Sequence, residues 1–261
     1  MIYFLTLLRR NPKEVILKIW RLLREKTSGK NRTAKRVVIY SLGKAGTSSI
    51  YESMRYSRQL DVLHLHYLNS QGAEIDKWRF LENRRAKKAK DWIRKGDVLI
   101  VALVRDPFSR SISSFIQNYE LYHNSSSLEE AIIKNAQTIS LNWWDQEFKK
   151  SLNWDVYEHS FNKVLGVSEY ELGHNQLVIL KSSVISTLGL SFLSSKLGLP
   201  LTDTKANLSK RKKAAKRFHS RIESFKFPTN AFESIVNSKF VRHFYTDKEI
   251  EDFQERWQHA E

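Results

Sequence analysis

The 261-residue chain contains no cysteine. Disulfides, thiolate nucleophiles and metal–thiolate centres are therefore excluded, and a reducing compartment fits. With four prolines and nine glycines, and no internal repeat, there is no low-complexity tract. Long apolar runs are also missing. The stretch Ile2 to Leu8 is interrupted by Thr6 and falls far short of the roughly 20 residues that span a bilayer. It is short for a signal peptide and lacks a clear small-residue cleavage site. The expectation is a cytoplasmic protein. Acidic residues are outnumbered, 28 against 44 basic, for a formal charge of +16. Such an excess attracts polyanions: nucleic acid, anionic membrane, acidic polysaccharide or a multiply charged nucleotide. Seven Trp and fourteen Phe argue for a folded core, and the length suits one α/β domain with appendages.

Two stretches carry chemistry. In VVIYSLGKAGTSSIYESM, Val37 to Tyr40 read as an interior parallel strand. Ser41 to Gly46 break the pattern, and Thr47, Ser48 and Ser49 open a helix. A glycine loop feeding a helix N-terminus presents backbone N–H groups and the positive end of a helix dipole, an arrangement suited to phosphate. Lys44 adds a mobile charge. This is not a Walker A loop, in which the lysine follows the last glycine; here it precedes Thr47 by three residues. The second stretch, VLIVALVRDPFSRSISSF, reads as a strand over Val98 to Val104, then Asp106 as N-cap and Pro107 in the first helical turn. Arg105 falls at the carboxyl end of that strand, the edge where open α/β sheets bind ligands. Arg110 and Ser113 share one helix face. Arginine with a helix hydroxyl can hold a second phosphate; an ion pair of Arg105 or Arg110 with Asp106 is the plainer alternative.

Together the two stretches resemble one family. SLGKAGTSSI is similar to the 5′-phosphosulfate loop of sulfotransferases. VRDPFSRSISSF is similar to their 3′-phosphate motif RDPxxRxxSxF, at Arg105, Asp106, Pro107, Arg110, Ser113 and Phe115. The resemblance implies a P-loop-like three-layer α/β fold, with a central, mainly parallel sheet flanked by helices. It also implies the sulfuryl donor 3′-phosphoadenosine 5′-phosphosulfate, with no metal. On it, Lys44 binds the bridging region of the donor. Gly46, Thr47 and Ser48 hold the 5′-phosphate, Ala45 and Ser49 also line the donor, and Arg105 and Ser113 hold the 3′-phosphate. Gly43 departs from the family, many of whose members have proline there.

The rest of the chain adds candidates. Residues 1–35 read as a basic amphipathic helix and linker, with Val15, Ile16, Ile19, Trp20 and Leu23 on one face. That helix can pack on the domain, or lie on an anionic membrane at its inner face. Residues 36–261 form the sulfotransferase-like domain. Asp61 to Tyr67 read as a strand whose alternation puts His64 and His66 on one face. Transfer to a hydroxyl needs a general base, and histidine suits neutral pH. His66, nearer the strand end, is preferred over His64, with Asp145 or Glu147 as alternatives if both histidines are structural. Gln71 to Lys95 read as a helix ending in a basic cluster, either a solvated face or a track for an anionic acceptor. Leu128 to Asn153 read as helical, with Trp143 and Trp144 either buried or stacking on sugars.

The stretch NWDVYEHSFNKVLGVSEYELGHNQLVIL resembles sulfotransferases linked to bacterial capsular polysaccharide synthesis. It leads into a strand, Gln176 to Lys181, where Lys181, Ser182 and Ser183 replace the arginine and acid of many relatives. Ser186 to Leu199 read as a helix stopped by Gly198 and Pro200. In DTKANLSKRKKAAKR, Asn207, Ser209 and Lys210 are placed by resemblance in a loop closing over the donor. A terminal helix follows Thr246 or Asp247.

The expectation is a sulfotransferase acting on a hydroxyl of a carbohydrate such as capsular polysaccharide, with nucleic acid not expected as a partner. The rivals are a P-loop-type kinase, which needs magnesium ligands not identified here, and a non-catalytic basic protein binding nucleic acid or anionic membrane.

Overall fold

The computed structural model describes residues 34–69, 79–118, 128–203 and 224–258. Residues 1–33 of the expected amphipathic helix and linker, and Asn207, Ser209 and Lys210, lie outside these residues; Lys35, expected to end the linker, instead opens the first strand. Among the described residues, no helix is long and apolar enough to cross a membrane.

Five strands form one sheet: β1 (Lys35–Tyr40), β2 (Leu60–Leu65), β3 (Val98–Val104), β4 (Val167–Leu172) and β5 (Asn175–Lys181), in the order β2-β1-β3-β5-β4. The first four in that order run parallel, and β4 joins β5 antiparallel. The continuous apolar runs at β1, β3 and β5 are the central strands, because both faces of a central parallel strand are covered. All seven residues of β3 are buried. β4 was not expected. Its residues alternate in exposure, as an edge strand with one wetted face does, and its polar VSEYEL hides it among loop-like residues.

Alternation on the central strands divides the core. On one face Val37, Ile39, Val101 and Leu180 meet Ile50, Tyr51 and Met54 of α1 (Thr47–Met54) and Leu190, Leu193 and Leu197 of α5 (Leu190–Leu197). On the other, Val38, Tyr40, Ile100 and Ile179 meet the remaining helices. These are α2 (Arg79–Lys95), α3 (Pro107–Asn118), α6 (Thr229–Val236), α7 (Lys239–Phe244), α8 (Asp247–Trp257) and a long helix, α4. The result is the expected three-layer arrangement. The second face is dense in rings: Phe108 contacts Phe227, Phe232, Phe253 and Trp257, while Trp144 contacts Phe148 and Phe244. Each such side chain contributes on the order of 1.5–3 kcal/mol through burial. Trp143 and Trp144 are 4% and 3% exposed, so they fill the core.

α4 matches the helix expected over Leu128 to Asn153 but is not uniform. It starts as Leu128–Asn135, widens to a π-helical turn at Ala136–Ser140, resumes at Leu141–Trp143, widens again at Trp144–Lys149 and ends at Lys150–Leu152. α5 ends as expected: Gly198, at φ 68°, donates its N–H to the carbonyls of Ser194 and Ser195. α8 begins with a capping box between Thr246 and Glu249. α6 and α7 were not expected, although Ser238 caps α7 by accepting the Val241 N–H at 3.3 Å.

Candidate functional site

The chain leaves β1 for β2 on one side and then crosses to β3 on the other. The carboxyl ends of β1 and β3 therefore flank a topological switch point, where a crevice opens beyond an α/β sheet. The loop after β1 and Arg105 after β3 both stand there.

The loop is held tightly at its start. Ser41 Oγ donates to the Leu103 carbonyl at 2.9 Å and accepts the Leu103 N–H at 3.1 Å, pinning β1's end to β3. Lys44 follows with φ 71° and Gly46 with φ 98°, a left-handed region that disfavours side chains at both positions. At Gly46 a Cβ would also stand 2.8 Å from Ile185 Cδ1. Gly46 is the N-cap of α1. That end has no side-chain cap and no acid in its first turn, so the first N–H groups and the helix dipole are not neutralised by a local carboxylate. Ala45 and Thr47 are buried, and Gly46, Ser48 and Ser49 are partly buried.

Arg105 Nη1 donates to the Lys44 carbonyl at 2.8 Å, and its Nε reaches Ser109 Oγ at 3.4 Å. The two sequence stretches thus meet. Burial lowers the arginine's pKa, while Asp106 and Tyr245 oppose the shift and Arg256 adds to it. The guanidinium stays charged, and an added anion beside it is electrostatically favoured. Asp106 acts as the expected cap: its Oδ1 accepts the Ser109 N–H at 2.7 Å, and its Oδ2 accepts the Ser109 hydroxyl. Lys44 Nζ donates to Gln117 Oε1 of α3 at 2.7 Å. Ser113 is buried on α3.

Arg110 has a different task from Arg105. It is 5% exposed. Its Nε donates to the Gly43 carbonyl at 3.1 Å, and its Nη1 to Asn135 Oδ1 at 2.6 Å and Ser140 Oγ at 3.0 Å. One guanidinium therefore braces the glycine loop against the first π-helical turn of α4.

The histidines lie on the other flank of the loop. His64 ends near the carboxyl end of β2, and His66 is one residue beyond the strand. Their rings meet edge-on at 4.9 Å, with Tyr51 5.6 Å from His64. His66 Nδ1 lies 2.7 Å from the Ser41 carbonyl. A carbonyl only accepts, so Nδ1 carries the proton, and in the neutral ring Nε2 is the basic nitrogen. Nε2 lies beside Gly43, 3.6 Å from where a Cβ would stand. Trp143 Nε1 donates to the His66 carbonyl at 3.1 Å and fixes the segment from behind.

The alternative bases are committed elsewhere. Glu147 is 7% exposed, and its Oε1 accepts from Tyr40 Oη at 2.8 Å, Leu68 N at 2.5 Å and Asn69 N at 3.1 Å. Burial and then Glu147 push the Tyr40 pKa up, so the phenol remains a donor. Asp145 pairs with Lys239 at 2.6 Å. Among the described residues no group of three His, Asp or Glu is placed to hold a metal.

The sequence reading missed the bracing roles of Ser41, Arg110 and Glu147. Arg110 had a signal, its place in the RDPxxR stretch. Ser41 and Glu147 had none, since both act through partners far along the chain.

A family described as "NKWYS: Putative capsular polysaccharide synthesis protein" matches residues 118–246. The match starts at the end of α3 and runs through α4, β4, β5 and α7. It takes in Asn135, Ser140 and Glu147 but leaves out the Lys44 loop, Ser41, Arg105 and Arg110. No curated protein and no solved structure matches the chain.

Proposed function

We propose that the protein transfers a sulfuryl group from 3′-phosphoadenosine 5′-phosphosulfate to a carbohydrate hydroxyl. The observation that carries this reading is the contact between Arg105 Nη1 and the Lys44 carbonyl at 2.8 Å, beside an α1 N-terminus without cap or acid. Two separate groups suited to phosphate, the α1 N-terminus and Arg105, sit at one switch point, which supports a donor with phosphates on both its 5′ and 3′ positions. The similarity to a capsular polysaccharide synthesis family supports a carbohydrate acceptor.

In this reading the α1 N–H groups and the hydroxyls of Thr47, Ser48 and Ser49 hold the 5′-phosphate, with Arg105 and Ser113 at the 3′-phosphate. The acceptor oxygen attacks sulfur in line as the bond from sulfur to the phosphate oxygen breaks. The acceptor proton passes to His66 Nε2, whose tautomer the Ser41 carbonyl has set. Lys44, turning from Gln117, stabilises the charge that gathers on the departing phosphate. His64 meets the His66 ring edge-on and orients it.

Calorimetric binding of 3′-phosphoadenosine 5′-phosphate, with adenosine 5′-phosphate and ATP–magnesium as controls, tests the reading. The 3′-phosphate nucleotide is expected to bind most tightly, and Arg105→Ala to weaken it by about 10–150-fold, the loss of a charged hydrogen-bond donor. Preference for ATP–magnesium would overturn the proposal in favour of a kinase. His66→Ala is expected to keep nucleotide binding and lose about 10²–10⁴ in transfer rate. Full activity in that variant would remove His66 from the mechanism.

A further inference from the structure

α2 presents an unusual outer face. Between Asn83 and Lys95 seven side chains are basic and one, Asp91, is acidic. Ala86 and Ala89 are buried and let the helix lie close on the sheet. The opposite side exposes Arg84, Lys87, Lys90, Arg94 and Lys95. The row from Lys87 to Arg94 covers about 10 Å at 1.5 Å per residue. Asp91 pairs with Arg94 at 3.2 Å and leaves the face strongly positive. Lys88 sits over the Trp92 ring at 4.7 Å, covering the aromatic.

This face joins the site directly. Lys90 Nζ donates to Asn69 Oδ1 at 3.1 Å, and Asn69 Nδ2 donates to Ser151 Oγ at 2.8 Å. Asn69 is three residues beyond His66, a reach of at most about 11 Å of chain. A polymer lying along α2 therefore arrives at the histidine flank of the loop, opposite the Arg105 flank.

We propose that the outer face of α2 is the docking track for an acidic polysaccharide, whose hydroxyl is presented to the histidine flank. This rests on the sulfuryl-transfer reading and adds the charge class of the acceptor. The chemistry of the face selects among polyanions. Among the described residues the large exposed apolar side chains are Tyr56, Ile139, Val164 and Leu165. None is among the side chains described on α2, from Asn83 to Lys95, so this stretch of the face has nothing to insert into a membrane. The same stretch, whose Trp92 is covered by Lys88, offers no open aromatic platform for unpaired bases. Carboxylate groups repeated along a flexible sugar chain need only a row of ammonium and guanidinium groups.

The test measures binding of polygalacturonate to the full chain at about 0.1 M salt, alongside uncharged dextran, duplex DNA and phosphatidylglycerol vesicles. The variant is the double reversal Lys87→Glu with Arg94→Glu, which leaves the Lys90–Asn69 bond in place. A second variant, Lys134→Glu with Lys248→Glu, changes the net charge equally on α4 and α8. Polygalacturonate is expected to bind, with dextran silent. The α2 reversal is expected to weaken it tenfold or more and flatten its salt dependence, and the other reversal to change it less than threefold. Affinity for 3′-phosphoadenosine 5′-phosphate is expected to stay the same in both. Equal losses in the two variants would overturn the track as general charge attraction, and tighter binding of DNA or vesicles than of polygalacturonate would overturn the occupant. If polygalacturonate binding follows the α2 charges while no 3′-phosphate nucleotide binds, the track stands and the donor assignment falls.

Discussion

Arg105 and Lys181 occupy matching places in the fold. Each lies at the carboxyl end of a central strand, β3 or β5, and Lys181 pairs in register with Val104. Burial lowers the pKa of both. They differ in what answers the charge. Lys181 is 2% exposed; its Nζ donates to both carboxylate oxygens of Glu249, at 2.8 and 2.6 Å, and to the Lys163 carbonyl at 2.7 Å. Glu249 in turn completes the capping box of α8. That cation is consumed in fastening α8 and the turn before β4 to the sheet. Arg105 touches a carbonyl and a hydroxyl, both neutral, and its nearest opposing charges act through space. The comparison teaches that a strand-end cation answered by dipoles keeps a charge no contacting carboxylate cancels, whereas one answered by a carboxylate is fixed as a structural group.

Swapping readouts sharpens the contrast. Arg105→Ala is expected to lose nucleotide affinity as stated above with little change in urea midpoint. Lys181→Ala is expected to do the reverse. Removing one partner of a buried pair costs about 3–5 kcal/mol. The Glu249 side chain keeps 31% exposure and can rehydrate, so roughly 2 kcal/mol is expected by urea denaturation, with nucleotide affinity unchanged. A Lys181→Ala protein that is stable but fails to bind nucleotide would break the comparison.

A smaller effect is expected from Arg110→Lys. Lysine keeps the charge but lacks the planar fork that reaches Gly43, Asn135 and Ser140 together. The glycine loop should loosen, weakening binding of 3′-phosphoadenosine 5′-phosphate by about tenfold, or roughly 1.4 kcal/mol. The transfer rate at saturating donor should fall less. Unchanged affinity would show that the loop holds its shape without the brace.

The smallest effect concerns a third basic group, His243 on α7. Its Nε2 is buried without a hydrogen-bond partner among the described residues, and its ring meets Tyr157, Phe161 and Phe244. Burial, then Lys163, lowers its pKa below 6.5, against the opposing Asp155. In the window between that folded value and 6.5 the unfolded chain binds more protons, so stability falls as the pH drops through it. His243→Phe is expected to flatten this acid dependence by a fraction of a kcal/mol, read from urea midpoints between pH 7 and pH 5.

Local patterns that need no distant partner were legible in the sequence. The apolar runs of β1, β3 and β5 can only be central strands in a chain of this composition. Gly198 and Thr246 mark helix ends because a left-handed turn and a side-chain cap are local events. β4 escaped because an edge strand with one wetted face carries no continuous apolar run. The π-helical turns of α4 escaped because one extra residue per turn leaves the helical pattern nearly intact.

The sequence by itself determined the α/β class, the glycine loop leading into α1 and the RDPxxR stretch leading into α3, since strand periodicity, turn residues and caps act within a few residues. Only the tertiary structure decided which groups meet. Sheet order brings Arg105 to the carbonyl of Lys44 across 61 positions, and Tyr40 to Glu147 across 107. That ties Glu147 to β1 and to the backbone after β2, while the Ser41 carbonyl sets the tautomer of His66. Contacts at such separations are fixed by how strands stack and helices cross, which no short-range pattern encodes.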